Sequence, residues 1–185
     1  MNESKAIVDK LDVVRRQIDT AIWLWFNEAD LVSTNSLIDA AMGVLDELYQ
    51  QLDMERPMPF NTKFMPDGTT TEEARKIRKK LREAGAFAKH ARHDHDLLYE
   101  YNPIFTEIYI HLAIMAHIAL VDYDMKGLRS IFTLYFGARF PQFFTFDTFP
   151  VPDERIDIER VKKLSRTEFF QEYGGDFVGN PPRPD

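Results

Sequence analysis

The sequence predicts an all-α protein, a helical bundle of five to six helices whose first two form an antiparallel hairpin. Three observations carry that expectation. Apolar residues recur three and four positions apart along separate stretches, the spacing that gathers them on one face of a helix. Asp30, Thr70 and Asn102 stand in front of three such stretches as side-chain caps. One stretch, beginning at Pro103, is apolar in nearly every direction, as the buried centre of a bundle is. With 185 residues, 44% of them apolar, the chain suffices for one core and is short for two. A single domain over residues 1–173 follows, with a disordered tail expected at 174–185.

The first helix is expected over residues 5–28. Leu11, Val14, Ile18, Ile22 and Trp25 share one face there, and Arg16, Thr20, Trp23 and Asn27 the other, so Trp23 falls on the polar side. Asp30 caps a second helix that aligns Ile38, Ala41, Leu45, Leu48 and Leu52, and the short link between the two makes them a hairpin. Residues 53–71, with three prolines and the turn signal Asp67-Gly68, form a long loop. Thr70 and Glu73 have capping-box spacing, and the third helix behind them lines up Ala74, Ile77, Leu81, Ala84 and Ala88. A connection over 93–102 leads to Asn102-Pro103, a cap and first-turn proline, and a fourth helix running to about Asp122. After a break at Tyr123 a fifth helix runs from Leu128 to a C-terminal cap at Gly137. The segment 140–152 holds five phenylalanines between Phe140 and Phe149 and is expected to fold back over an open end of the bundle. Residues 153–173 complete the fold as one amphipathic helix through Ile158, Val161, Leu164 and Phe169.

The absence of cysteine excludes disulfides, zinc-thiolate sites and thiol nucleophiles, leaving histidine and carboxylate as metal ligands. The N-terminus lacks the basic and apolar regions of a signal peptide, so a cytoplasmic protein is expected. The most apolar stretch, 108–121, contains His111 and His117 and is shorter than the ~18 apolar residues a span requires, so no membrane role is expected. A net charge of -7 argues against a general nucleic-acid coat. Locally the balance reverses, with eight bases and one acid, Glu83, between Ala74 and His93.

The segment 89–96 concentrates the chemistry. His90 and His93 lie three apart and Asp94 four from His90, which sets two imidazoles and a carboxylate side by side for one divalent ion, with His95 or Asp96 in support. His90 is also the candidate catalytic acid or base. Arg75, Arg78, Lys79, Arg82 and Lys89 form a candidate phosphate-binding face without stacking aromatics, a contact of charge only. His111 and His117 face different sides of the fourth helix and read as core histidines hydrogen-bonded to neighbours. Trp23, Phe143 and Phe146 are the candidate partner surface. No P-loop, GxSxG, GxGxxG or HExxH pattern is present.

The stretches Lys10-Leu-Asp-Val-Val-Arg-Arg-Gln-Ile-Asp-Thr-Ala-Ile, Asp30-Leu-Val-Ser, Phe87-Ala-Lys-His-Ala with Asp94, and Tyr101-Asn-Pro resemble an uncharacterised family of small bacterial helical proteins. The resemblance spans residues 5–120. Leu31, Asn35, Ala86, Ala88 and His95 depart from the family pattern, whereas Lys89, His90, Ala91 and Asp94 keep it. At the level of the fold the chain also resembles the HEPN superfamily, many of whose members are RNases or nucleotide-associated toxin and defence proteins. Their arginine-to-histidine signature is not matched, since seven residues separate Arg82 from His90. The leading expectation is therefore a partner-binding or self-associating module with no cofactor beyond a divalent metal. The alternative is a nucleotide- or RNA-directed enzyme that uses the basic face and His90.

Overall fold

The computed structural model describes residues 7–54, 68–89, 96, 98–121, 125–144 and 157–177, with the side chains of Arg78, Asp176 and Phe177 excepted. It is an all-α bundle. Seven α-helices are described: α1 (Lys10–Phe26), α2 (Leu31–Gln51), α3 (Thr71–Lys89), α4 (Pro103–Ile118), α5 (Leu128–Arg139), α6 (Ile158–Val161) and α7 (Arg166–Phe177). No strand occurs among the described residues.

Asp9 begins α1 by accepting from the Asp12 amide at 2.7 Å, so the helix starts later than residue 5. Asp30 caps α2 by accepting from the Val32 and Ser33 amides. The two helices form the expected hairpin, and both end the same way. Ala29 N–H donates to Leu24 C=O and Glu28 N–H to Trp25 C=O; Met54 N–H donates to Tyr49 C=O and Asp53 N–H to Gln50 C=O. These pairs of bonds define Schellman ends, and they place Glu28 (φ 51°) and Asp53 (φ 52°) in the left-handed region usually given to glycine.

Helix α4 occupies the middle, against α1, α2, α3 and α5. On one flank α3 lies on α2 and α4, and on the other α7 lies on α1 and α5. The core gathers Val14, Ile18, Ile22, Trp25 and Phe26 of α1, Ile38, Met42 and Leu45 of α2, and Tyr109, Ile110 and Ile114 of α4. Across from them, Phe132 and Phe136 of α5 and Phe169 of α7 complete it. Phe26 is the aromatic centre, with Phe132, Tyr135, Phe169 and Phe170 ring centroids 5.1–6.0 Å away.

Several expectations are corrected. Helix α5 does not stop at Gly137 but continues to Arg139, because the residue that cannot join the helix is Phe140, placed before Pro141. The final helix is two helices. Ser165 and Glu168 cap each other across the break, Ser165 N–H donating to Glu168 Oε2 at 2.8 Å and Glu168 N–H to Ser165 Oγ at 3.2 Å. Helix α7 then runs through Gly174 and Gly175 to Phe177, beyond the expected start of the tail at 174. Helix α4 ends at Ile118, short of Asp122. On α3 the inner stripe takes Gly85 and leaves Ala88 exposed. The rest of the loop expected over 53–71, at 55–67, the break at 122–124 and residues 178–185 lie outside the described residues.

Candidate functional site

Helix α3 starts with the expected capping box, Thr70 N–H donating to Glu73 Oε2 at 2.9 Å and Glu73 N–H to Thr70 Oγ1 at 3.3 Å. Its outward bases have acids beside them. Glu72 pairs with Arg75 at 3.0 Å and lies 3.9 Å from Lys76; Glu83 pairs with Lys80 at 3.0 Å and lies 3.8 Å from Lys79. Arg75, Lys76, Lys79, Arg82, Glu83 and Ala86 line a shallow open groove along this face. Lys89 leaves the face altogether. Its Nζ meets Asp39 of α2, whose other carboxylate oxygen accepts from the Tyr109 hydroxyl of α4 at 3.1 Å. Only Gly85 leaves room for Asp39: a Cβ there would stand 2.3 Å from Asp39 Cγ.

Among the described residues no aromatic lines the groove on the basic face of α3, but the segment that follows the helix brings rings beside it. Tyr99 stacks on Phe87 at 5.3 Å and meets Tyr101 edge-on at 4.9 Å, and the Tyr101 hydroxyl donates to Ala84 C=O at 3.4 Å. Tyr99 is near enough to Lys80 and Glu83 for both charges to act on its phenol. Three half-buried rings thus border the basic face.

The proposed metal ligands His90, His93 and Asp94, with His95, lie outside the described residues. Among the described residues no three histidine or acidic side chains are grouped as a metal site. Trp23 is 44% exposed, on an outer face of α1 that it shares with exposed Arg16, Thr20 and Asn27. Phe143, in a 3-10 turn at Pro141–Phe143, packs against Phe136 and Phe140, while Phe146 lies outside the described residues.

The most perturbed ionisable groups are inside. Glu107 of α4 is 1% exposed and accepts from Arg139 Nη1 through both oxygens, at 3.2 and 3.0 Å. The same nitrogen reaches the Tyr135 hydroxyl at 3.0 Å. Burial outweighs the pull of Arg139 and Arg166 and pushes Glu107 up to about 7. Beside it Arg166, the first residue of α7, lays its guanidinium carbon 4.0 Å from the centre of the Trp25 ring.

The two core histidines differ. His117 is bonded as expected, with Nδ1 3.2 Å from Arg129 Nη1, and Arg129 Nε lies 3.3 Å from Asp19 Oδ1. At His111 the Nδ1 has no hydrogen-bond partner, and the ring stacks on Phe136 at 4.2 Å with Phe144 at 5.1 Å. Burial lowers its pKa to about 3, which keeps the ring neutral.

No family model, curated protein or solved structure matches the chain.

No described helix is long and apolar enough to cross a membrane. Sequence reasoning passed over Glu107, Arg139 and Arg166, although one signal was available. A lone carboxylate between Phe105 and Ile108 in an apolar helix needs a cation from elsewhere in the chain. The arrangement can hold a proton on Glu107 near neutral pH and can present two guanidinium groups to an anion.

Proposed function

We propose that the protein is a cytoplasmic partner-binding module that works through the outer face of α1, with Trp23 as its anchor. The observation that carries this reading is the 44% exposure of an indole on a helix whose opposite face is fully packed. Around it stand Arg16, Thr20 and Asn27, and an aromatic anchor with an arginine and a polar rim is the usual make-up of an interface hot spot. The partner is a protein surface, either a second copy or another chain. Light scattering over a concentration series tests self-association, and the difference between wild-type and Trp23→Phe emission spectra reports the Trp23 environment. Trp23→Ala should abolish association while costing about 1 kcal/mol of stability, well below the ~3–5 kcal/mol of a core tryptophan. A monomer at every concentration, combined with the emission of a buried indole at Trp23, would remove the proposal.

A second reading, a HEPN-like enzyme or binder acting on nucleotides or RNA, is favoured by the tyrosines beside α3. Single-stranded nucleic acid is held by cations along its backbone and by rings against its bases, and Lys79, Lys80, Tyr99 and Tyr101 bring both to one region. Affinity for a short single-stranded RNA should then fall steeply as salt rises, and Tyr99→Ala should weaken it further. Absence of binding at low salt sinks this reading.

A further inference from the structure

We propose that Arg166 and Trp25, where α7 meets α1, bind a small monovalent carboxylate anion. Two hydrogen-bond donors meet there with no acceptor among the described residues: the Nε1–H of Trp25, an indole 2% exposed, and Nη1 of Arg166. The guanidinium carbon lies over the ring, 4.0 Å from its centre, which brings the two donors into one small region. Buried donors are almost always paired, and two orphans side by side mark a place built for an acceptor.

Two donors, one of them on a cation, give the sign. Arg139 and Arg166 both act on Glu107, the one buried carboxylate beside them, and Glu107 is already engaged by Arg139. Glu28 forms an ion pair with Arg166 at 3.7 Å from its Nε and is half exposed, too far for a hydrogen bond. Arg166 therefore has charge partners, yet its Nη1 is left without an acceptor. The first turn of the 12-residue α7 brings its positive pole near Arg166, together with Glu168, whose carboxylate accepts from Ser165 N–H. Glu107 and Glu28 set the limit on charge, because a dianion would face both carboxylates, whereas a monoanion meets less repulsion. A carboxylate has two oxygens, one to accept from the guanidinium and one to accept from the indole N–H. The Arg166 side chain is 21% exposed, and this gives the site a route to solvent.

The two tryptophans make the test direct. In a nitrogen-15 correlation spectrum the indole N–H groups of Trp23 and Trp25 give two resonances, and Trp23→Phe assigns them. Sodium formate and sodium acetate, titrated against sodium chloride at constant ionic strength, should move the Trp25 resonance saturably and leave Trp23 in place. Arg166→Lys, which keeps the charge and removes the fork, should weaken the response at least tenfold with the backbone spectrum retained. The inference is overturned if Trp25 does not move, the result expected when ordered water alone serves the two donors. It is equally overturned if chloride gives the same saturable shift, or if Arg166→Lys responds as the wild type does. Should Arg166→Lys lose its folded spectrum, the wild-type titration decides alone.

Discussion

Glu107 and His111 sit one turn apart on α4 and respond to pH in opposite directions. Burial raises Glu107 from 4.5 to about 7, so the folded protein holds that proton more tightly than the unfolded chain. Its contribution to stability is complete below about pH 4.5 and lost as pH rises through 7, a change of about 3 kcal/mol. His111, lowered from 6.5 to about 3, does the reverse: its contribution is complete above 6.5 and is lost as pH falls toward 3. Between pH 4.5 and 6.5 the two slopes nearly cancel. Denaturant unfolding of the wild type should therefore change little from these groups across that window, whereas Glu107→Gln should become the more stable protein at pH 8, and His111→Leu should gain stability steadily from pH 7 down to 4.5. A Glu107→Gln protein that is less stable than wild type at pH 8 would show that the bond to Arg139 outweighs the burial of the charge. The lone carboxylate of Glu107 in an apolar helix was a readable signal, but its partner was not, because Arg139 lies 32 positions away and nothing local pairs them. Trp23 and Trp25 were legible, since two residues of helix turn one indole inward and the other outward.

At the scale of the element, helix starts were easier to read than helix ends. Asp30, Thr70 with Glu73, and Asn102 announce their helices in the side chains themselves, and all of them cap as expected. Helix α1 and α2 instead end on Glu28 and Asp53, left-handed residues that carry no glycine signal. The break before α7 was readable in Ser165 and Glu168, yet the apolar spacing on both sides of it suggested one continuous helix. Gly85 shows how much a packing site depends on what crosses it. In an exposed helix, alanine in place of glycine would help by about 1 kcal/mol. Here the added Cβ would press on Asp39 Cβ and Cγ at 2.6 and 2.3 Å, atoms close to the backbone that cannot swing clear. Gly85→Ala should destabilise the protein by about 1–3 kcal/mol in thermal or denaturant unfolding, through loss of the Asp39 contacts with Lys89 and Tyr109. A rise in stability would mean that α3 is free to move away from α2.

Across the whole molecule, the periodicity of apolar residues was enough for the all-α class, the hairpin and the central place of α4, because burial is a property of faces and faces follow spacing. The meeting of distant surfaces was not legible: Tyr99 and Tyr101 come beside α3, and Arg166 comes onto Trp25, through tertiary packing that no local pattern encodes. That last meeting also orders events in time. Phe26 depends on Phe169 and Phe170 for its stacking partners, and the Thr167 hydroxyl donates to Phe26 C=O across 141 positions of chain. During synthesis the hairpin leaves the ribosome long before α7 exists, so its central aromatic side waits uncovered while most of the chain is made. The nascent bundle thus has a period of stickiness written into its topology, one that ends when α7 arrives.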